Sequence, residues 1–342
     1  TTAALGVGYW AAGGVSLAQS KSANEQVNIG CIGVGGKGGS DTDNAGEHGN
    51  IVALCDCDEN TLGKKGEKYS KAQKFTDFRK MFDKLGKSID AVTVSTPDHC
   101  HAVASAMAMN LGKHCFCQKP LTKTIYEARR LGELAKEKKV ATQMGTQIHA
   151  EENYRRVVEL IKAGAIGPVR DVHVWCNKTW SQGERPKETP PVPSHLHWDL
   201  WLGPAPERPY HPTYLPANWR RWWDFGSGTL GDMACHYMDL PFWALDLRHP
   251  TSVASEGPPV HPETTPLWLI VRYEFPARGE MPASTRTRPR FVLISTAATR
   301  PTRFELGSPC ALSAGRVMNS FVPQSSSRMM TSCETSTRRR VR

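Results

Sequence analysis

The stretch Val27-Asn28-Ile29-Gly30-Cys31-Ile32-Gly33-Val34-Gly35-Gly36-Lys37-Gly38 decides how this chain is read. An apolar run of strand type passes straight into Gly33-x-Gly35-x-x-Gly38. A second apolar run, Ile51-Val52-Ala53-Leu54-Cys55, ends in Asp56, 18 residues past Gly38. Strand, glycine turn, helix, strand and acid in that order form the dinucleotide-binding fingerprint. Gly33 suits the tight turn, Gly35 lets backbone N–H groups approach a pyrophosphate, and Gly38 lets the helix pack on the strand. The helix N-terminus favours the phosphate charge. Asp56 can accept hydrogen bonds from the adenosine ribose hydroxyls.

Outward from this unit, residues 27–147 keep alternating strand and helix. The pattern predicts helices over 59–71, 77–85, 101–111 and 125–138, and strands over 89–96, 114–118 and 140–144. Alternation of this kind implies a parallel, doubly wound α/β sheet of Rossmann type. Ligands of such sheets sit at the carboxyl ends of the strands. Those ends carry Gly33–Gly38, Asp56, Thr96–His101 and Lys119-Pro120.

Past Gly145 the pattern changes to an α+β second domain over 148–283. A helix is expected over 151–163, a strand over 169–176, a helix over 231–245, and strands over 253–255 and 267–275. Residues 178–219 are rich in Pro and aromatics and show no period. Five of the ten Trp fall within 26 residues, from Trp198 to Trp223. Their faces can stack on sugar rings or pack an irregular segment at the domain junction.

The formal charge of +10 is unevenly placed. Residues 284–342 hold 11 Arg and 2 acidic residues, which leaves 32 basic against 31 acidic residues in 1–283. The main body is nearly neutral, and no reading motif for nucleic acid accompanies the charge. Ser and Thr make up 18 of the last 59 residues. That segment reads as a disordered tail or as sequence out of frame after about Pro282. It is expected to be poorly folded, leaving the second domain's sheet incomplete, and no function is assigned to it.

Cys31, Cys55, Cys57, Cys115 and Cys117 lie in strand-like runs, where Cys behaves as a small hydrophobe. Their spacing suits neither a zinc site nor a redox pair, and no metal is expected. Residues 3–18 form an apolar small-residue run ending in Ser16-Leu17-Ala18. This reads as the remnant of a secretory signal, with residues 1–26 as signal and linker and a periplasmic location; a frayed arm on a cytoplasmic protein is the alternative. The run is short for a membrane span.

Hydride transfer from an alcohol to a nicotinamide needs a proton acceptor and a cation or donor for the developing alkoxide. Lys119 ends a sheet strand, as such a cation would. In Gly231-Asp232-Met233-Ala234-Cys235-His236-Tyr237-Met238-Asp239, helical spacing puts Asp232, His236 and Asp239 on one face. His236 can shuttle a proton, and a neighbouring carboxylate can orient it and raise its pKa. A surface Asp–His pair at a helix end has the same spacing.

From Val27 to Phe275 the chain resembles the glucose–fructose oxidoreductase / inositol dehydrogenase family (Gfo/Idh/MocA). The resemblance rests on the glycine motif, Ser95-Thr96-Pro97-Asp98-x-x-His101, Gln118-Lys119-Pro120 and Gly228-x-x-x-Asp232-x-x-x-His236. It implies that Lys119 and His236 are the catalytic pair and that Asp232 positions substrate and His236. It also implies that Thr96, Pro97 and His101 line the cofactor cleft. The second domain would be an open, mainly antiparallel sheet that often mediates dimers or tetramers. Gln118 stands where the family carries Glu, which removes a charge that would keep Lys119 protonated. Asp56 suits the free ribose hydroxyl of NAD and repels the 2′-phosphate of NADP, although Lys64 and Lys65 are close in sequence. The implied function is an NAD-dependent oxidoreductase acting on a hydroxyl of a sugar, sugar derivative or cyclitol. An NAD-dependent glycosidase that oxidises transiently, or a dinucleotide-binding protein without turnover, would fit the same motifs.

Overall fold

A computed structural model describes residues 26–178, 180–181, 183–276 and the main chain of 290–296. The apolar N-terminal run and its export reading lie outside the described residues.

Six parallel strands form the first sheet: β1 (Val27–Ile32), β2 (Gly49–Cys55), β3 (Gln73–Phe75), β4 (Ala91–Val94), β5 (His114–Gln118) and β6 (Thr142–Gly145), in the order β3-β2-β1-β4-β5-β6. The five helices that alternate with them are α1 (Gly36–Gly46), α2 (Glu59–Lys68), α3 (Phe78–Leu85), α4 (Asp98–Asn110) and α5 (Ile125–Lys138). The expected Rossmann sheet is therefore present. Both faces are covered. Val92, Val94, Ala104, Ala108, Met109, Leu131 and Leu134 join one core, while Ile29, Cys31, Leu54 and Leu62 join another. This is why the strands read as continuous apolar runs instead of alternating ones. The strand order reverses its direction of progress between β1 and β4, which stay parallel, and the crevice at their carboxyl ends is the natural ligand seat.

Local sequence explains the turns that shape this crevice. Gly33 has φ +78°, a left-handed conformation that side chains disfavour. A Cβ on Gly38 would lie 1.9 Å from the Gly33 carbonyl oxygen, so α1 seats on the turn only through a glycine. Helix α4 starts three residues before the expected 101, because Pro97 caps it in an extended conformation and leaves Asp98 as its first residue. Thr124 and Glu127 form a capping box that starts α5. Strand β3, three residues long, is too short to show a period.

The second domain contributes α6 (Glu152–Lys162), β7 (Asp171–Cys176), α7 (Trp198–Leu202), α8 (Gly228–Tyr237), α9 (Asp239–Ala244), β8 (Ser252–Glu256), β9 (Trp268–Glu274) and β10 (Arg290–Thr296). The single helix expected over 231–245 is two helices. Pro241 lacks the N–H that would bond the Tyr237 carbonyl, and α8 ends at Tyr237. The sheet order is β7-β10-β9-β8, with β9 antiparallel to both β8 and β10, and β10 parallel to β7. The sheet is mainly antiparallel, as expected. The reading of 284–342 needs correction at β10: this segment supplies an inner strand, built on the apolar run Phe291-Val292-Leu293-Ile294. The rest of that tail lies outside the described residues. Trp198, Trp201, Trp219, Trp222, Tyr214 and Phe225, in and just past the segment that shows no sequence period, form a separate core.

Candidate active site

A cleft of about 980 Å³ runs along the carboxyl ends of the first sheet. Gly33, Gly35, Asp56, Thr96, Pro97, His101 and Lys119 all line it. Gly38 does not line it and acts from behind, by seating α1. At one end, Asp56 Oδ2 accepts from the Val34 N–H at 2.9 Å and Oδ1 from the Asp58 N–H at 3.0 Å. Burial raises the Asp56 carboxyl against those two bonds. Each oxygen keeps a second lone pair for a ribose hydroxyl. Lys65 is committed elsewhere: its Nζ bonds the Gly39 carbonyl at 2.9 Å and Asp43 at 3.0 Å.

His101 is fully buried and fixes the middle of the cleft. Its Nδ1 stands 2.7 Å from the Pro120 carbonyl and its Nε2 2.7 Å from the Thr96 carbonyl. The ring thus ties the loop after β4 to the turn after β5. Burial lowers its pKa, and the two carbonyl contacts pull the other way.

At the far end, the two domains meet through charge. Lys119 Nζ lies 2.5 Å from Asp232 Oδ1 and donates also to the Asp232 carbonyl at 2.8 Å. Arg220 Nε reaches the same Oδ1 at 3.1 Å, and Trp180 Nε1 donates to Oδ2 at 2.6 Å. The Arg220 guanidinium stacks on Trp219, 4.3 Å from its ring centroid, and faces Trp180 at 5.4 Å. Burial would raise the Asp232 carboxyl, but the Lys119 and Arg220 charges and the Lys119 and Trp180 hydrogen bonds hold it below its ordinary value.

His236 follows Asp232 by one helical turn, yet no hydrogen bond joins the two among the described residues. Asp232 orients Lys119 instead. Asp239 is also elsewhere, pairing with His149 at 2.8 Å from the start of α9. The expected rise in the His236 pKa is reversed: burial, reinforced by the Lys119 charge, lowers it to about 4 against the pull of Asp232. The ring is therefore neutral near pH 7, and its buried Nδ1 has no partner among the described residues.

Trp180, Arg220 and Asp98 belong to this end and were given no role from sequence. Asp98 belongs to the motif that runs from Ser95 to His101. It lines the cleft, and burial pushes it up to about 7, with Arg220 opposing, Asp232 adding and Lys119 opposing. A cation set between Trp residues, as in Trp219-Arg220-Arg221-Trp222, was the only signal for Arg220. The Trp-rich segment is mainly packing, although Trp201 and Trp219 also line the cleft. Cys31, Cys55, Cys115 and Cys117 are buried free thiols and Cys57 is half-buried. Among the described residues no cluster of three or more His, Cys, Asp or Glu could hold a metal, and no helix is long and apolar enough to cross a membrane.

Comparison with known proteins adds two matches to family models. Residues 27–146 match the NAD-binding Rossmann fold of an oxidoreductase family, and residues 155–281 match its C-terminal α/β domain. Levoglucosan dehydrogenase of Pseudarthrobacter phenanthrenivorans is 26% identical over 165 residues, covering 48% of this chain and 35% of that protein. A glycosyl hydrolase family 109 protein of Solibacter usitatus is 33% identical over 163 residues, covering 42% of this chain and 35% of that protein. The chain spans less than half the length of these relatives. The structure of the WlbA dehydrogenase of Bordetella pertussis, in complex with NADH and UDP-GlcNAcA, shares the fold with a TM-score of 0.60 at 17% identity, over 81% of this chain and 74% of that one. The N-terminal domain is thus an NAD-binding Rossmann domain.

Proposed function

The chain belongs to the Gfo/Idh/MocA oxidoreductase family, and we propose that its cleft couples NAD to the oxidation or reduction of a hydroxyl on a sugar, sugar derivative or cyclitol. The observation that carries this reading is the Lys119–Asp232 ion pair, which sets a cation in the same cleft as the glycine turn and Asp56. Gly33, Gly35, Asp56, Thr96 and Pro97 are the residues to hold the cofactor, and NAD supplies the hydride-accepting chemistry when bound. Lys119, steadied by Asp232, donates to the substrate oxygen as negative charge develops on it. By its resemblance to the family, His236, neutral near pH 7, is the residue to take the hydroxyl proton. Asp232 acts by orienting Lys119, and His101 by fixing the turn that carries it. The relative named for levoglucosan supports a sugar-like substrate.

The test is NADH formation from NAD with a panel of sugars, sugar acids and cyclitols. Turnover of one panel member, lost in Lys119→Ala and His236→Ala, is expected. No turnover with any member would overturn the reading. The glycoside hydrolase relative favours a second reading, transient oxidation that leads to glycoside cleavage. It predicts cleavage of an aryl glycoside without net NADH.

Asp56, with Lys65 committed to α1, supports NAD over NADP. Equal or tighter binding of NADPH in a fluorescence titration would reverse that preference. Export and assembly into dimers or tetramers complete the proposal, to be checked by cell fractionation and light scattering.

A further inference from the structure

Between the glycine turn and Lys119 lies a buried carboxylate that the chemistry above does not use. Asp41, in the middle of α1, is 6% exposed. It accepts hydrogen bonds from three side chains, one on its own helix, one in the loop after β4 and one at the end of β5: Lys37 Nζ at 2.6 Å, Ser95 Oγ at 2.8 Å and Gln118 Nε2 at 2.9 Å. Gln118 turns its other end to the reacting lysine, with Oε1 accepting from the Lys119 N–H at 3.3 Å. Its amide has little room to swing away, because Gly145 lies so close that a Cβ there would sit 2.7 Å from Nε2. Lys119 Nζ then reaches Asp232. A continuous line of contacts thus joins Lys37, beside the glycine turn, to the junction between the domains.

Between Lys37 and Lys119 the line holds one carboxylate, at position 41. Carboxylates at both 41 and 118 would repel and have to share a proton. Amides at both would leave the Lys37 ammonium hydrogen-bonded but without a charged partner. We propose that Asp41 is a positioning residue: through Gln118 it fixes the main chain at Lys119, and through Lys37 and Ser95 it locks the cofactor turn to the same point. Its effect on turnover rests on the oxidoreductase reading, whereas its effect on cofactor binding does not.

A charge exchange tests this. Gln118→Glu sets a second carboxylate against Asp41. It is expected to cut kcat/KM by about 100-fold and NADH affinity by about tenfold. The double variant Asp41→Asn/Gln118→Glu moves the charge across the contact. The new amide can accept from Lys37 and donate to the new carboxylate, and the Ser95 hydroxyl can turn to accept. The carboxylate at 118 still accepts from the Lys119 N–H. Recovery of both quantities to within about threefold of wild type is expected. Thermal melts check that each protein is folded, and if Gln118→Glu unfolds, recovery in the double variant decides. Wild-type behaviour of Gln118→Glu, or a double variant no better than the single one, would overturn the proposal. If the wild type oxidises nothing in the panel, the oxidoreductase reading fails, and the NADH titration of the three proteins still decides the role of Asp41.

Discussion

The two ends of the cleft are held in different ways. Around Gly33 the shape is set by main chain: a left-handed glycine, a helix seated against its carbonyl, and an aspartate bonded to two backbone N–H groups. The parts are close in sequence, with Val34 and Asp56 22 residues apart. Around Lys119 the shape is set by charged and aromatic side chains from distant segments. Lys119 and Asp232 are 113 residues apart, and Trp180 and Asp232 are 52 apart. Main chain that packs this closely does not admit a side chain. A charge cluster tolerates changes of shape but not the loss of a partner. Damage at the first end should therefore appear in cofactor binding, and damage at the second in rate.

The largest expected effect lies at the charged end. Lys119→Ala should lower kcat on the order of a thousandfold, through loss of the donor to the substrate oxygen. Its affinity for NADH should stay within about threefold of wild type. A parallel loss of NADH affinity would show that the two ends are one unit. At the main-chain end, Gly38→Ala places a Cβ 1.9 Å from the Gly33 carbonyl oxygen, so the turn must move. NADH affinity should fall about 100-fold in a protein that still melts cooperatively. Full affinity would mean that the turn does not shape the cofactor seat.

The same contrast explains what could be read from the sequence. Gly33, Gly38 and Asp56 were legible because local spacing encodes main-chain geometry. Lys119 was legible as a strand end, and Asp232 by helical spacing. The partners of Asp232 were not, because Trp180 comes from the segment without a period, Arg220 lies just past it, and both reach Asp232 only through tertiary packing. Helical spacing misdirected the reading of His236, since Asp232 faces Lys119 and burial governs the imidazole. Gln118 read as a loss beside Lys119, and nothing local shows that Asp41, 77 residues earlier, accepts its amide N–H. In the tail, Ser, Thr and Arg composition masked the four-residue apolar run of β10.

A smaller effect is expected at His99, which joins the first domain to the Trp-rich core. It sits in α4, its Nε2 stands 2.9 Å from the Trp201 carbonyl, and its ring packs on Trp201 and Phe225. Burial lowers its pKa to about 4. A pKa below the unfolded value gives stability that is present above about pH 6.5 and lost as pH falls toward 4. Between pH 7 and 5 the loss should be about 2 kcal/mol in urea melts. His236 adds a loss of the same sign. His99→Gln should show a shallower pH dependence, and an unchanged slope would count against this account.

The smallest effect should come from Asp98, whose charge is felt at both ends. It follows Pro97 on the cofactor side, and its carboxyl responds to Arg220, Asp232 and Lys119 on the other. With a pKa near 7, raised above the unfolded value, it holds its proton below neutrality and releases it above. Its own contribution to stability therefore falls as pH rises from about 4 to 7, opposite to that of His99. Ionisation adds a negative charge to the cleft, which favours the cationic nicotinamide of NAD over the neutral ring of NADH. A single such charge acting across the cleft in an effective dielectric of about 20 amounts to at most roughly a tenfold difference. The ratio of the NADH to the NAD dissociation constant should accordingly rise by up to about tenfold between pH 6 and 8. Asp98→Asn should flatten that rise while keeping the side chain's size. A rise that persists in the variant would place the titrating group elsewhere and leave the two ends electrostatically independent.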